Sequence, residues 1–360
     1  MGDPLRVLEL FSGIGGMHYA LQETGINHEV IAAADINTVA NDIYKHNFPD
    51  CLLMNRCIES IQLSEFSRLR PDLITMSPPC QPFTRVGKQR DIDDPRTKSF
   101  LHLLKVISTL ERSVKYIFVE NVKGFDGSEA HRMLLETLQA ADYVMQEFLI
   151  SPLQCGIPNS RLRYYLMAKK KPLKFQFDTT SQIMTELPAC AASYLNHCQS
   201  KPDSTASSSV PLYDRCAAMC RPLSSYLQED MSHDLLPEKF VHRFWVMDIV
   251  KPSSTNSCCF TKRYGHHIEG AGSVLQTNTD CEIDLTEYKK TKVYTAETEA
   301  AVKQLGLRFF SPREIANLMH FPAHFSFPAN FSTVQTYRVL GNSLNVHVVA
   351  VLMKLMLIEK

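Results

Sequence analysis

The sequence predicts an α/β protein built on a doubly wound, mostly parallel sheet with a smaller second domain. Two observations carry this. Short apolar runs at residues 5–10, 30–34, 72–76 and 116–120 are rich in Val, Ile, Leu and Phe and bounded by polar or turn residues, as buried parallel strands are. Helix-like segments separate them. The segment 17–23 stops at Gly25, 37–47 begins with the capping residue Asn37, and Phe100, Leu101, Leu103, Leu104, Ile107 and Leu110 recur at helical spacing. Strand–helix–strand repetition of this kind places helices on both faces of one sheet.

Two further strands are expected at 143–149 and 162–168, with a loop at 151–161 between them. After about residue 170 the rhythm stops. The predicted division is a first domain of 1–168 completed by 308–360, and a small domain of 169–307 with a flexible insertion near 190–235, where Lys201-Pro-Asp-Ser-Thr-Ala-Ser-Ser-Ser209 is loop-like in composition. Order resumes at Ser311-Pro312-Arg313-Glu314, a capping box with proline at the first helical position, and the run 344–358 reads as a last helix.

Composition narrows the class. The 360 residues are 44% hydrophobic and 21% charged, which suits a globular chain, and a net charge of zero neither requires nor excludes a nucleic-acid partner. No apolar run approaches the roughly 20 residues of a membrane span, so no membrane partner is expected. Met1-Gly2-Asp3-Pro4-Leu5-Arg6 lacks a basic segment followed by an apolar one, and eleven cysteines at irregular spacing read as free thiols, so an intracellular address is expected. Lys88 and Arg90, Lys169 to Lys171 with Lys174, and Lys289, Lys290 and Lys292 form local basic clusters that read first as solvated surface.

Leu8-Glu9-Leu10-Phe11-Ser12-Gly13-Ile14-Gly15-Gly16 is a strand entering a glycine-rich turn and then a helix. It stands where open α/β sheets bind ligands, and its G-x-G-G spacing departs from the dinucleotide pattern G-x-G-x-x-G. Alone it fits an ordinary tight turn equally well. Asp35, about twenty residues on at the end of the second strand, adds a carboxylate suited to ribose hydroxyls. The same Asp could instead cap a helix beside Asn37.

Ser77-Pro78-Pro79-Cys80-Gln81-Pro82 holds a thiol on a proline-stiffened loop at the ligand edge, a candidate nucleophile once its proton is lost. Glu120, in Glu120-Asn121-Val122 at the end of the next strand, is a candidate proton carrier. Arg161 and Arg163 occupy alternate positions entering a strand and suit a phosphate or a ring carbonyl.

In this order the motifs resemble the cytosine-5 methyltransferase family over roughly residues 5–168 and 308–358, ending on Gly341-Asn342-Ser343. One departure is Asn159, where most members carry Gln. The resemblance implies a Rossmann-like methyltransferase fold with a target-recognition domain, and S-adenosylmethionine as methyl donor, leaving S-adenosylhomocysteine. It implies Cys80 as the nucleophile on carbon 6 of cytosine, Glu120 at ring nitrogen 3, Arg163 on the ring carbonyl and Arg161 in support of the loop or a phosphate. It further implies cofactor contacts from Phe11, Gly13, Ile14, Gly15 and Gly16, with Asp35 on the ribose, Ile58 and Glu59 at the adenine, Ser77 and Ser99 at the methionine side and Asn342 closing the site.

Cys259-Phe260-Thr261-Lys262-Arg263-Tyr264 is similar to the signature of the eukaryotic tRNA branch of that family, which modifies an anticodon-loop cytosine of aspartate tRNA. Lys262, Arg263 and Tyr264 would then offer charge and a stacking face to RNA, in the cytoplasm first and the nucleus second. The same run could be a folded hairpin. DNA is the alternative substrate, and a binding protein without catalysis the alternative of another class. Cys216-x-x-x-Cys220 and Cys258-Cys259 near His266-His267 form no paired C-x-x-C set, so no metal is expected.

Overall fold

The computed structural model describes residues 2–79, 94, 97–109, 114–195, 212–229, 235–283, 285–291 and 294–358. Cys80 lies outside the described residues, as do 196–211 and 230–234 of the expected insertion. Within the described parts of that insertion, 3-10 segments at Ala189–Tyr194 and Leu223–Tyr226 flank the helix α6, Leu212–Ala218.

The first part alternates strand and helix, with β3, α3 and α5 added to the predicted segments: β1 Leu5–Leu10, α1 Gly16–Thr24, β2 His28–Asp35, α2 Thr38–Asn47, β3 Leu53–Asn55, α3 Leu63–Leu69, β4 Leu73–Met76, α4 Lys98–Thr109, β5 Tyr116–Val122, α5 Glu129–Ala140, β6 Tyr143–Ile150 and β7 Arg163–Lys170. Among the described residues these strands form one seven-stranded sheet in the order β3-β2-β1-β4-β5-β7-β6. The first five in that order run parallel, while β7 is antiparallel to both β5 and β6. Strand alternation divides the core. Leu8, Leu10, Ile74, Met76, Ile117 and Val119 point toward α3, α4 and α5, whereas Val7, Leu73 and Phe118 point toward α1 and α2.

The second part begins after β7. It holds α7 Glu238–Val241, β8 Ile249–Val250, β9 Val274–Gln276, α8 Thr286–Thr291, α9 Ala296–Gln304 and β10 Leu307–Arg308. A second sheet, β10-β9-β8, carries its own apolar cluster around Phe240, Phe244, Ile268, Val274 and Leu307.

The chain then returns with α10 Pro312–Leu318, α11 Thr333–Asn342 and α12 Val346–Leu357. Residues 333–357 are apolar enough to resemble a membrane span, but they form two helices broken at Ser343, and most of the stretch is buried. Ten of the twelve residues of α12 are buried, as a helix apolar on every side requires, and it packs against α1 beneath the large sheet.

The capping box at Ser311 forms, and its glutamate does more than cap. Glu314 accepts from the Ser311 backbone N–H at 2.8 Å and holds the Arg308 guanidinium through both oxygens, at 2.8 and 2.7 Å, with both side chains wholly inaccessible. Glu314→Gln removes the carboxylate counter-charge from the buried arginine. It should lower unfolding stability by about 3–5 kcal/mol in urea titration, with the large-sheet secondary structure retained in circular dichroism before the transition.

Candidate active site

A cavity of about 520 Å³ opens where the carboxyl ends of β1, β2, β4 and β5 meet the C-terminal segment. Phe11, Ser12, Gly13, Ile14 and Gly16 line it from the β1–α1 turn, and Asp35, Ile36 and Asn37 from the end of β2. The turn folds tightly because Phe11, Gly13 and Gly15 all take left-handed backbone angles, with φ of 54°, 52° and 86°. Asp35 pins it, accepting the Gly13 N–H at 2.9 Å on one oxygen and the Asn37 N–H at 2.8 Å on the other. The helix cap of α2 is Asn37, whose side chain accepts the Ala40 N–H, while Asp35 faces the cavity. Burial raises its pKa, opposed by the backbone N–H groups of Asn37 and Gly13.

Cys57, Ile58 and Glu59 form another wall, with Ser99 beside them, its hydroxyl donating to Glu59. From the C-terminal side come Gly341, Asn342, Ser343 and Leu344.

The reactive corner is formed by Ser77, Pro78, Pro79, Glu120, Arg161 and Arg163. Asn121 ties the end of β5 to this loop by donating to the Pro78 carbonyl at 3.5 Å. Cys80, next in sequence to Pro79, lies outside the described residues. Glu120 is buried, which raises its pKa. The Arg163 and Arg161 guanidiniums pull the other way, Arg163 at 3.5 Å, without cancelling the burial effect. Arg163 also donates to the Leu162 carbonyl at 2.8 Å, which orients its head group toward the cavity.

A model of the family described as C-5 cytosine-specific DNA methylase matches residues 5–357. The chain belongs to that family. It is 44% identical to the tRNA (cytosine(38)-C(5))-methyltransferase of Bos taurus, over 98% of this chain and 99% of the relative. It is 39% identical to a Dictyostelium discoideum protein called DNA (cytosine-5)-methyltransferase, over 98% and 94% of the two chains. The crystal structure of a Spodoptera frugiperda DNMT2 mutant superposes with a TM-score of 0.81 at 39% identity, covering 98% of this chain and 99% of that one.

The cavity's residues fit the adenosyl cofactor that a C-5 cytosine methylase implies. Apolar Ile36, Ile58 and Leu344 flank the Asp35 carboxylate, and among the described residues the buried Ser12 hydroxyl beside them has no hydrogen-bond partner. The predicted contacts Phe11, Gly13, Ile14, Gly16, Asp35, Ile58, Glu59, Ser77, Ser99 and Asn342 all line the one cavity.

Gly15 does not. It is the N-cap of α1, and a Cβ there would stand 2.4 Å from the Phe48 ring, so its lack of a side chain lets α2 pack under the turn. Tyr264 is a second correction. It is 2% exposed, its hydroxyl donates to the Ser273 carbonyl at 2.7 Å and accepts the Phe310 N–H at 2.9 Å, and it offers no stacking face. Lys262 and Arg263 are exposed but lie outside the cavity. Arg161 is likewise not free for a phosphate. Its buried guanidinium donates to the carbonyls of Phe260 at 3.1 Å, Gly341 at 3.2 Å and Ser343. Asn159, where the family pattern has Gln, donates to the Ser257 hydroxyl at 3.1 Å and the Cys258 carbonyl at 3.0 Å.

Two site residues escaped the sequence reading. Cys259 lies 3.3 Å from Arg161 and 3.8 Å from Arg163. Burial pushes its thiol up, but the two guanidiniums outweigh this and hold the pKa below the usual value. Glu9 sits inside β1 on the face toward α2, accepting from the Tyr44 hydroxyl at 2.8 Å. A polar residue at an inward position of an apolar strand was the available signal. Burial raises the Glu9 pKa to about 8, against the Tyr44 hydroxyl and the backbone of His18.

Since that folded value exceeds the unfolded one, the contribution of Glu9 to stability is complete below about pH 4.5 and falls as pH rises to about 8. Glu9→Gln, which carries no titratable proton, should flatten stability over this window in urea midpoints taken from pH 5 to 9. An unchanged pH slope would show that Glu9 is not protonated in the folded protein.

Proposed function

We propose that this protein transfers a methyl group from S-adenosylmethionine to carbon 5 of a cytosine in tRNA, through a covalent adduct with Cys80. The observation that carries the reading is the end-to-end similarity to a tRNA cytosine methyltransferase, which runs through the small domain as well as the cofactor half. The anticodon loop of aspartate tRNA is the proposed target, on the strength of the Cys259-Phe260-Thr261-Lys262 run and its tRNA-branch resemblance. A loop base suits the site, because the cytosine must leave its stack to enter the cavity.

The roles follow from the chemistry of the ring. Carbon 5 of cytosine is a weak nucleophile. Addition of the Cys80 thiolate to carbon 6 breaks the 5,6 double bond and moves electron density onto carbon 5. Glu120, whose burial favours its protonated form, donates at ring nitrogen 3 and offsets the charge that develops there. Arg163 holds the ring carbonyl. S-adenosylmethionine, when bound, supplies the electrophilic methyl group that carbon 5 takes. Loss of the carbon 5 proton then re-forms the double bond and expels Cys80 as thiolate. Arg161 positions the reactive corner through backbone carbonyls and leaves the substrate to Arg163.

DNA is the second reading, favoured by the name of the Dictyostelium relative. Labelled S-adenosylmethionine offered in parallel to total tRNA and to genomic DNA separates the two. Label is expected in tRNA and absent with Cys80→Ala. Label confined to DNA would keep the chemistry and replace the substrate, and label in tRNA with Cys80→Ala would remove the adduct.

Glu120→Gln keeps a hydrogen bond to the ring but cannot release a proton. Single-turnover methylation should slow by about 10²–10⁴-fold with cofactor affinity little changed. A rate within about threefold of the parent would show that proton donation at nitrogen 3 is dispensable.

A further inference from the structure

Away from the methyl-transfer cavity, three side chains from distant parts of the chain meet around one point. Glu23 ends α1, His320 follows α10 and His347 stands in the first turn of α12. We propose that Glu23, His320 and His347 bind one divalent transition-metal cation of the zinc class, which clamps the far end of α1 to the C-terminal segment.

The donor set is the first ground. Two imidazoles and one carboxylate suit zinc and its neighbours better than magnesium or calcium, which prefer oxygen. One ligand atom from each residue lies within 4.8 Å of the others. His347 Nδ1 contacts Glu23 Oε1 directly, His320 Nδ1 is 3.5 Å from Glu23 Oε2, and the two imidazole centroids are 4.7 Å apart. Ligands at about 2.0–2.2 Å from a tetrahedral ion stand roughly 3.3–3.5 Å from one another. Small side-chain rotations reach that spacing, with no movement of the helices.

The backbone at His320 is the second ground. It lies just beyond the C-terminus of α10, with φ of 63°. Glycine is the usual residue there, because a side chain in the left-handed region costs energy. An imidazole is retained at this strained position, and it is turned toward Glu23. The third ground is access. A separate cavity of about 480 Å³, bordered by Tyr19, Gln22, Asn317 and His324, opens onto Glu23 and His320, leaving room for water or a further ligand at the fourth position.

The place gives the ion its effect. Glu23 is seven residues along α1 from Gly16, about 10 Å by helical rise, and Gly16 is packed against Leu344 of the segment that closes the methyl-transfer cavity. His347 is three residues beyond Leu344. Tying Glu23 to His347 and His320 therefore fixes that segment from its other side, and binding to the folded form alone raises thermal stability.

A hydrogen-bonded triad without metal would join the same elements, and His320→Gly separates the two. Glycine suits the left-handed backbone, so the metal-free variant should melt at or above the parent temperature. Tag-free, full-length protein is stripped with chelator, then titrated with Zn²⁺ and with Co²⁺. The parent should bind one equivalent with a rise in Tm, and its cobalt spectrum should lack thiolate charge-transfer bands, which excludes the cysteines as ligands. His320→Gly and His347→Asn should weaken that binding by about tenfold or more and lose the rise in Tm. No binding, cobalt bands of thiolate origin, or affinity unchanged in His320→Gly would each overturn the proposal.

Discussion

The site depends on one guanidinium. Arg161 is buried between the large sheet, the small domain and the C-terminal helices, and it donates to a carbonyl in each of the latter two: Phe260 on one side, Gly341 and Ser343 on the other. These three carbonyls belong to two segments some eighty residues apart, one around Phe260 and one at Gly341 and Ser343. A cation with a planar fork of donors is the economical solution, since one side chain serves several acceptors at fixed angles. Burial and the neighbouring Arg163 cation both work against its charge, which those carbonyls, Cys259 and Glu120 partly offset.

Around that knot the backbone is drawn unusually close. A Cβ on Gly341 would stand 2.1 Å from the Lys262 nitrogen, so the run Thr261-Lys262 lies directly on α11. This explains the apparent contradiction in the Cys259–Tyr264 run. It reads in sequence as a nucleic-acid contact, yet Tyr264 is core and the run's backbone is interface. Its influence on the reactive corner passes through the Phe260 carbonyl and the Cys259 thiol, while Lys262 and Arg263 are left to solvent.

Much of this was legible in the residues. Strands with apolar runs and helices with capping residues announce themselves locally, which is why β1, β4, β5, α2 and α10 were readable. The short β3 and the helix α5 were not: three residues carry too little pattern, and the polar face of α5 masks its apolar stripe of Ala130, Leu134 and Leu138. The cavity lining was legible because ligand-facing residues of an open sheet cluster just after strand ends. Two positions show what sequence leaves undecided. A glycine required by the Phe48 ring and one required by a ligand look alike, and the Tyr264 side chain gives no sign that its hydroxyl will find buried partners.

Glu9 and Glu120 show how the sheet uses its polar interior. Both are carboxyls on strands of the large sheet, β1 and β5, and both are driven toward the protonated form by burial, yet their surroundings differ in kind. Glu9 accepts from the neutral Tyr44 hydroxyl and meets no cation, so burial outweighs the hydrogen bonds that favour its charged form. Glu120 faces two guanidiniums, one of them at 3.5 Å, which oppose burial without cancelling it. An apolar pocket alone would hold the proton and a tight ion pair alone would remove it. Arg163, the nearer guanidinium at 3.5 Å, is therefore the group that most opposes the hold of burial on the Glu120 proton.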